Sequence, residues 1–354
     1  MIEVTATEAT AIEATMNQYD ALAYAWGPPQ CTAIVKAEPQ DFRVDEELGY
    51  LPSGSGEHFC LRISKTAITT RQVVERLART AGVREADIGY AGQKDKQGVC
   101  TQWFSIWMPG GSTPDLGSLR DDTLQILESS WNSRKIRLGT HRSNRFQIRL
   151  KKVQGTAIAE RLDQVSTEGV PNYFGEQRFG RDGDNAAQAQ LWFSGKLRKP
   201  GRFQRGMLLS AARSAIFNEV LSRRVQTGNW NTYLEGDVMN LAGSESVFVP
   251  VQWDDILKER LQHYDIHPTG PLWGRGELRS SAAANSLEMS VQADMAALCA
   301  GLEAHGMLQS RRSLRLLPGD MQYAQTTADE WLITFSLPPG TYATAVLREI
   351  CRYI

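Results

Sequence analysis

Cysteine is scarce in this 354-residue chain. The five (Cys31, Cys60, Cys100, Cys299 and Cys351) are odd in number, widely scattered, and form no CxxC pair. That pattern excludes a disulfide scaffold and a zinc site built on closely spaced paired ligands. It reads as free thiols in a reducing compartment. The five histidines form no HExxH, and His263 and His267, spaced i, i+4 just before Pro268, read as surface residues. No uncharged apolar run reaches the ~18–20 residues of a membrane span. The first residues, MIEVTATEATAIEATM, are acidic and lack a basic n-region, so they read as a frayed helix or disordered tail rather than a secretory signal. Phosphate loops are missing too. Gly201-Arg-Phe-Gln-Arg-Gly206 has Walker spacing, but Met207-Leu208 follow where Lys-Ser/Thr should stand. Gly54-Ser-Gly56 and Gly274-Arg-Gly276 lack a third glycine. Asp182-Gly-Asp184-Asn185 hints at a calcium loop, yet Phe193 occupies the place of the bidentate Glu, so a polar turn is the better reading. An enzyme with this sequence is expected to work without nucleotide, nicotinamide or metal.

What is present is an ordinary globular composition, 42% apolar and 22% charged, long enough for two domains with a core that needs no staple. The 39 Lys+Arg and 40 Asp+Glu leave a formal charge of −1, at first sight a poor match to nucleic acid. The charge is segregated, however. Residues 131–152 hold eight basic and no acidic side chains, and 195–213 hold six and none, whereas 1–50 and 231–265 are acidic. A single basic run is usually a solvated face. Two, interleaved with Trp131, Phe146 and Phe203, suggest a groove for a polyanion.

Periodicity predicts strands at Cys31–Lys36, Phe42–Asp45, Phe59–Ser64, Asp87–Ala91, Thr101–Trp107, Lys135–Leu138, Arg145–Leu150 and Trp331–Leu337. It predicts helices at Thr70–Ala81, Ala157–Val165, Asn185–Phe193, Leu208–Val225, Asp254–Leu261 and Ala293–Glu303. A last helix, N-capped by Thr341, would run to the end with Ala343, Val346, Leu347, Ile350 and Ile354 on one face. Strands before and after a helical stretch suggest one α+β domain with an insertion.

The most unusual local sequence is Gly92-Gln-Lys-Asp95-Lys-Gln-Gly98, a carboxylate between two lysines on a loop between strands. Most such loops are exposed turns. A carboxylate held ionised among positive charges is also a candidate nucleophile or electrostatic stabiliser. At this loop, GQKDKxGVxxQW, the chain resembles the signature of the pseudouridine synthase D family, the tRNA pseudouridine-13 synthases. Further segments are similar to the family's in the same order. They are Lys36-Ala-Glu-Pro-Gln-Asp-Phe42-Arg-Val-Asp-Glu46-Glu-Leu48, Leu138-Gly-Thr-His-Arg-Ser-Asn144-Arg-Phe146, Pro171-Asn172-Tyr-Phe-Gly175-Glu-Gln177-Arg178-Phe179-Gly180, and Leu337-Pro-Pro-Gly340-Thr-Tyr342 through Arg348-Glu349. Two positions depart: Gly98 stands where the family usually has Ala, and Cys100 where it has Thr. Both keep a small side chain, and the lost hydroxyl of Cys100 suggests a slightly looser loop.

The resemblance implies an α+β fold. Its catalytic domain would be a mixed, largely antiparallel sheet with flanking helices, carrying a helix-rich α/β insertion domain specific to the family. Boundaries would be 1–20 for an N-terminal extension, 21–170 and 317–354 for the catalytic domain, and 171–316 for the insertion. It implies an isomerase that converts uridine 13 of tRNA to pseudouridine, in the cytoplasm, with no cofactor, metal or membrane and no obligate protein partner evident. Asp95 would be the catalytic carboxylate and Phe146 the platform for a flipped base. The alternation of Phe146, Ile148 and Leu150 on its own would make that residue core. Asn144, Lys36, Glu46, Lys94, Arg178, Phe179 and Arg348 are implied around the substrate. Lys36, Lys94 and Arg348 are candidates for the positive partner of Asp95, with Lys36 ranked first. Arg134, Lys135, Arg142, Arg145, Lys196, Arg198, Lys199, Arg202 and Arg205 would grip phosphates along a cleft between the domains. If about five phosphates are held, log K should fall with log salt at a slope near −4. A catalytically inactive RNA-binding protein on the same scaffold is the alternative.

Overall fold

The computed structural model describes Tyr19 and residues 21–119, 121–180 and 183–354. The expected N-terminal tail, Tyr19 apart, and Asp182 of the expected polar turn lie outside the described residues. The chain divides into two compact units: 169–316 with 344–349 and the described residues before Pro29, and 29–168 with 317–343 and 350–354.

The second unit begins with β1 (Cys31–Val35), β2 (Phe42–Glu47) and β3 (His58–Thr66). On β3, Phe59, Leu61 and Ile63 point to one face and are buried, as strand alternation requires. Helix α1 (Thr70–Ala81) covers that face with Val73, Val74, Leu77 and Ala78. Its start is set by a capping box: the Thr69 hydroxyl accepts from the Gln72 amide at 3.2 Å, and Gln72 accepts from the Thr69 amide at 2.8 Å. Gly82, in the left-handed region at φ 67°, ends it. Then follow β4 (Ile88–Tyr90), β5 (Val99–Trp107), β6 (Leu124–Asn132), the long β7 (Ser143–Gly155) and α2 (Ile158–Glu168).

The first unit carries β8 (Val170–Pro171), α3 (Asn185–Phe193), α4 (Arg202–Gln226), β9 (Met239–Leu241), β10 (Val247–Phe248), α5 (Asp255–Gln262), β11 (Ile266–Leu272), α6 (Ala282–Asp294), α7 (Ala296–Ala304), β12 (Ser310–Ser313) and β13 (Arg315–Leu316). Helix α4 is its axis: Leu208, Leu209, Ala212, Ile216 and Val220 pack with Trp192, Trp273, Val291 and Leu302. Buried ion pairs, Arg224–Asp237 at 2.7 Å and Arg311–Glu288 at 2.6 Å, tie its elements together.

The chain returns to the second unit with β14 (Gly319–Thr327) and β15 (Glu330–Leu337); α8 (Ala343–Ile350) and β16 (Arg352–Tyr353) close the fold. The sheet runs β14-β15-β7-β2-β5-β3-β6, with β4 on β5 and β1 joining β7 to β16. It is mixed but largely antiparallel: only the β2–β5 and β1–β16 pairings are parallel among the described strands.

Several expectations are corrected. Lys135–Leu138 is irregular, because Ile136 bonds the Ser105 hydroxyl and Gly139 the Ala91 carbonyl instead of a ladder. The expected helix Ala293–Glu303 is two helices broken at Met295. The final helix stops at Ile350; Arg352 and Tyr353 pair with β1, and Ile354 is exposed. The Thr341 hydroxyl donates to the Pro338 carbonyl. His267 is buried rather than at the surface, accepting from Arg315 Nε at 3.0 Å. Helix α4 starts six residues earlier than the apolar periodicity indicated, since its first turn and a half is exposed and carries no core face.

Candidate active site

The Asp95 loop connects β4 to β5, two antiparallel neighbours, so both of its ends are anchored in the sheet. The Asp95 carboxylate is 44% exposed, and Lys36 Nζ stands 3.3 Å from its Oδ2. Lys36 follows β1 in the left-handed region (φ 65°), a conformation a lysine adopts at some cost. From there its ammonium lies 4.1 Å from the centroid of the Phe42 ring. The ammonium therefore faces an aromatic surface and a carboxylate together.

The loop is clamped from behind by its backbone. Lys65 Nζ donates to the Asp95 carbonyl at 2.6 Å and to the Ile68 carbonyl at 2.8 Å. Lys65 is fully buried, and that burial lowers its pKa. The Cys100 thiol, opposite Lys65 in the β3–β5 register, also donates to the Asp95 carbonyl, at 3.7 Å. Burial pushes that thiol's pKa up, which keeps it a donor. The loop thus has two donors on its central carbonyl, one of them the Cys100 thiol. At the loop's first residues, Gln102 Nε2 donates to the Gly92 carbonyl at 2.8 Å, Thr70 donates to Gln102 Oε1, and the Lys94 amide donates to Thr70. At its end, Gly98 has φ +140°, and a Cβ there would stand 2.7 Å from the Phe42 carbonyl oxygen. Glycine is required by this backbone and is not a neutral exchange for alanine.

The two lysines beside Asp95 diverge. Lys96 is exposed. Lys94 turns inward, its Nζ 2.8 Å from Glu46 Oε2 and 2.6 Å from Asn144 Oδ1. Glu46 and Asn144 face each other across β2 and β7, so the sheet register brings them to one ammonium. Burial raises the Glu46 carboxyl above its ordinary value, opposed by Lys94 and the Trp103 amide, which donates to Oε1 at 3.1 Å. With its oxygen held by Lys94, Asn144 donates through Nδ2 to His141 Nε2 at 3.1 Å. Burial, and secondarily Lys94, lowers His141 to about 4, so it is neutral at pH 7 and able to accept that bond.

Phe146 is buried on β7, between Phe335 (centroids 5.3 Å apart, stacked) and Phe42 (6.0 Å, edge-on). The remaining expected residues are placed as follows. In the first unit, Arg178 donates to the Ser210 hydroxyl at 2.9 Å, and Phe179 is buried. Arg348 donates to the Leu22 and Ala23 carbonyls and lies over the Tyr24 and Tyr173 rings. Both of its terminal nitrogens donate to acceptors within the protein. Arg134, Arg142, Arg145, Lys196, Arg198, Lys199 and Arg202 are exposed; Lys135 donates to the Ala86 carbonyl, and Arg205 leans toward the Trp192 ring.

Sequence reasoning missed Lys65, Thr70, Gln102 and His141. Lys65 did leave a trace: it occupies the inward phase of β3 behind Phe59, Leu61 and Ile63, where a lysine has no business unless it is bonded. Among the described residues no group of three or more His, Cys, Asp and Glu could hold a metal ion, and no helix is long and apolar enough to cross a membrane.

A fold of this kind, with a carboxylate loop clamped on a mixed sheet, defines an α+β enzyme scaffold, and comparison with known proteins places it. The family model of tRNA pseudouridine synthase D (TruD) matches residues 18–187 and 195–350. The tRNA pseudouridine synthase D of Xanthomonas campestris pv. campestris (strain B100) is 45% identical over 350 residues, 95% of each chain. That of Nitrosococcus oceani is 45% identical over 345 residues, 96% of each. A crystal structure of a Methanosarcina mazei protein, described as a candidate tRNA pseudouridine synthase D, has the same fold: TM-score 0.70, 19% identity, covering 93% of this chain and 95% of that one. The chain belongs to the tRNA pseudouridine synthase D family, a family of isomerases.

Proposed function

We propose that this protein converts uridine 13 of tRNA to pseudouridine, with Asp95 as the carboxylate that drives glycosidic cleavage. The N1–C1′ bond breaks, the base turns over, and a C5–C1′ bond forms. C5 gives up its proton and N1 takes one, so composition is unchanged. The observation that carries this reading is the disposition of Asp95. Its carboxylate is half exposed and faced by Lys36 at 3.3 Å, while its backbone is clamped by Lys65. A substrate can reach the carboxylate, and the backbone that carries it is held in place by Lys65 and Cys100; such preorganisation is what a reacting group needs.

The uridine must leave its stack to reach Asp95. Phe146, packed between Phe335 and Phe42, can meet the base only through the small part of its ring that stays exposed, on the strand that also presents Asn144. The Glu46–Lys94–Asn144–His141 chain holds the Asn144 carboxamide in one orientation, leaving no freedom to flip. Exposed cations, Arg134, Arg142 and Arg145 in one unit and Lys196, Arg198, Lys199 and Arg202 in the other, are the phosphate contacts. A-form RNA is held mainly by shape and backbone, so these groups position while the pocket selects.

The test is incubation of the purified protein with an unmodified tRNA transcript, followed by pseudouridine detection by carbodiimide-blocked primer extension, with Asp95→Asn as control. Pseudouridine at position 13 from the wild type and none from the variant is expected. Product from Asp95→Asn would remove Asp95 from its role. RNA bound but unaltered by the wild type would favour the inactive binder, and released uracil a hydrolase.

A further inference from the structure

Helix α4 opens with an exposed aromatic that its packing does not explain. Phe203, in its first turn, is 75% exposed, and Met207, one turn on, is 39% exposed. Spaced i, i+4, they share a helix face. Burying a phenylalanine is favourable, and this one forgoes that gain while the core face of the same helix begins at Leu208. Its surroundings are cationic. Lys196, Arg198, Lys199 and Arg202 are all exposed, and none forms an ion pair among the described residues. No acidic residue occurs between 195 and 213. The start of the helix is held in place by buried Pro200 and by Arg205, whose guanidinium lies 5.9 Å from the Trp192 ring, so Phe203 stands on a supported turn.

An apolar ring amid uncompensated positive charge suits a ligand that is itself a flat π-face on a chain of phosphates. We propose that Phe203 is a stacking platform for an unpaired nucleotide of the RNA, with Lys199 and Arg202 holding the phosphates beside it. Bases inside a duplex have no free face, so the occupant is a loop, bulge or end nucleotide. This rests on the reading of the protein as a tRNA-binding enzyme and adds a contact remote in sequence from Asp95. It assigns Phe203 to affinity and not to chemistry.

The experiment measures binding of an unmodified tRNA transcript to wild type, Phe203→Ala, Phe203→Trp and Arg202→Ala at several salt concentrations, with thermal melting of each variant. Stacking of one base corresponds to roughly a 5- to 150-fold affinity change. Phe203→Ala is expected to weaken binding within that range with an unchanged salt slope and unchanged Tm; Phe203→Trp should restore affinity. Arg202→Ala should reduce the slope by about one phosphate's share. Phe203→Ala binding like wild type at every salt concentration would overturn the proposal while leaving a wild type that modifies tRNA intact. Wild type that neither binds nor modifies tRNA would overturn the underlying reading as well. Sedimentation supplies a further arm: self-association of the wild type, lost in Phe203→Ala with tRNA affinity unchanged, would assign the patch to a second copy of the chain and overturn the proposal.

Discussion

Asp95 sits among four lysines, Lys36, Lys65, Lys94 and Lys96, and each does something different. Lys36 faces the carboxylate, Lys65 holds the carbonyl of the same residue, Lys94 neutralises Glu46, and Lys96 faces solvent. Lys65→Met keeps the apolar stem but strands the Asp95 and Ile68 carbonyls. The fold should survive, while kcat falls at least about tenfold with little change in KM, because small displacements of a reacting group cost about that much or more. Steady-state kinetics check this; an unchanged kcat would contradict the clamp. Gly98→Ala puts a Cβ against the Phe42 carbonyl at positive φ. It is expected to cost about 1–3 kcal/mol, read as a shift in urea midpoint. Lys94→Met leaves the fully buried Glu46 side chain without its cation. A loss of about 3–5 kcal/mol is expected by the same measurement.

At the scale of elements, what the sequence made legible follows from periodicity. Helix α1 was readable to the residue because one strong apolar face, Val73, Val74, Leu77 and Ala78, is bounded by Thr69 and Gly82. Thr69→Ala should therefore cost about 1 kcal/mol, a few degrees of Tm. Strands β6 and β14 escaped notice because polar, half-exposed residues fill them; their partners β3 and β15 supply the reason they are strands. Helix α6 escaped for the opposite reason: Ala, Ser and Asn over Ala282–Asp294 offer almost no amphipathic contrast. The exposed opening of α4 belongs with them. Periodicity detects alternation between buried and exposed positions, and elements at the surface carry little of it, as does the almost wholly buried β11.

For the molecule as a whole, two buried histidines set an acid limit. Burial lowers both His141 and His267 to about 4, aided by the positive charges of Lys94 and Arg315 respectively. The unfolded chain takes up these protons near the ordinary value of 6.5 and the folded chain only near 4. Stability should therefore be level above about pH 6.5, fall as pH drops toward 4, and lose on the order of a few kcal/mol from the pair. Glu46, whose carboxyl is raised, works in the opposite direction over part of that range. Urea midpoints at pH 7 and pH 5 test this; equal midpoints would contradict it. His141→Gln should lessen the pH dependence.

By itself the amino-acid sequence determined the α+β class, the family, the Asp95 loop and the segregation of basic charge behind a near-zero total. These are carried by local order along the chain: motif spacing, apolar period, capping residues. Only the tertiary structure decided which lysine meets which oxygen, that Gly98 has no room for a methyl, that His141 and His267 lie inside, and that Phe203 lies outside. The reason is physical. Several residues of like chemistry compete for each role, and the choice among them depends on strand register and on burial. Both are set by contacts between segments tens of residues apart, such as Glu46 with Asn144 and Lys65 with Cys100.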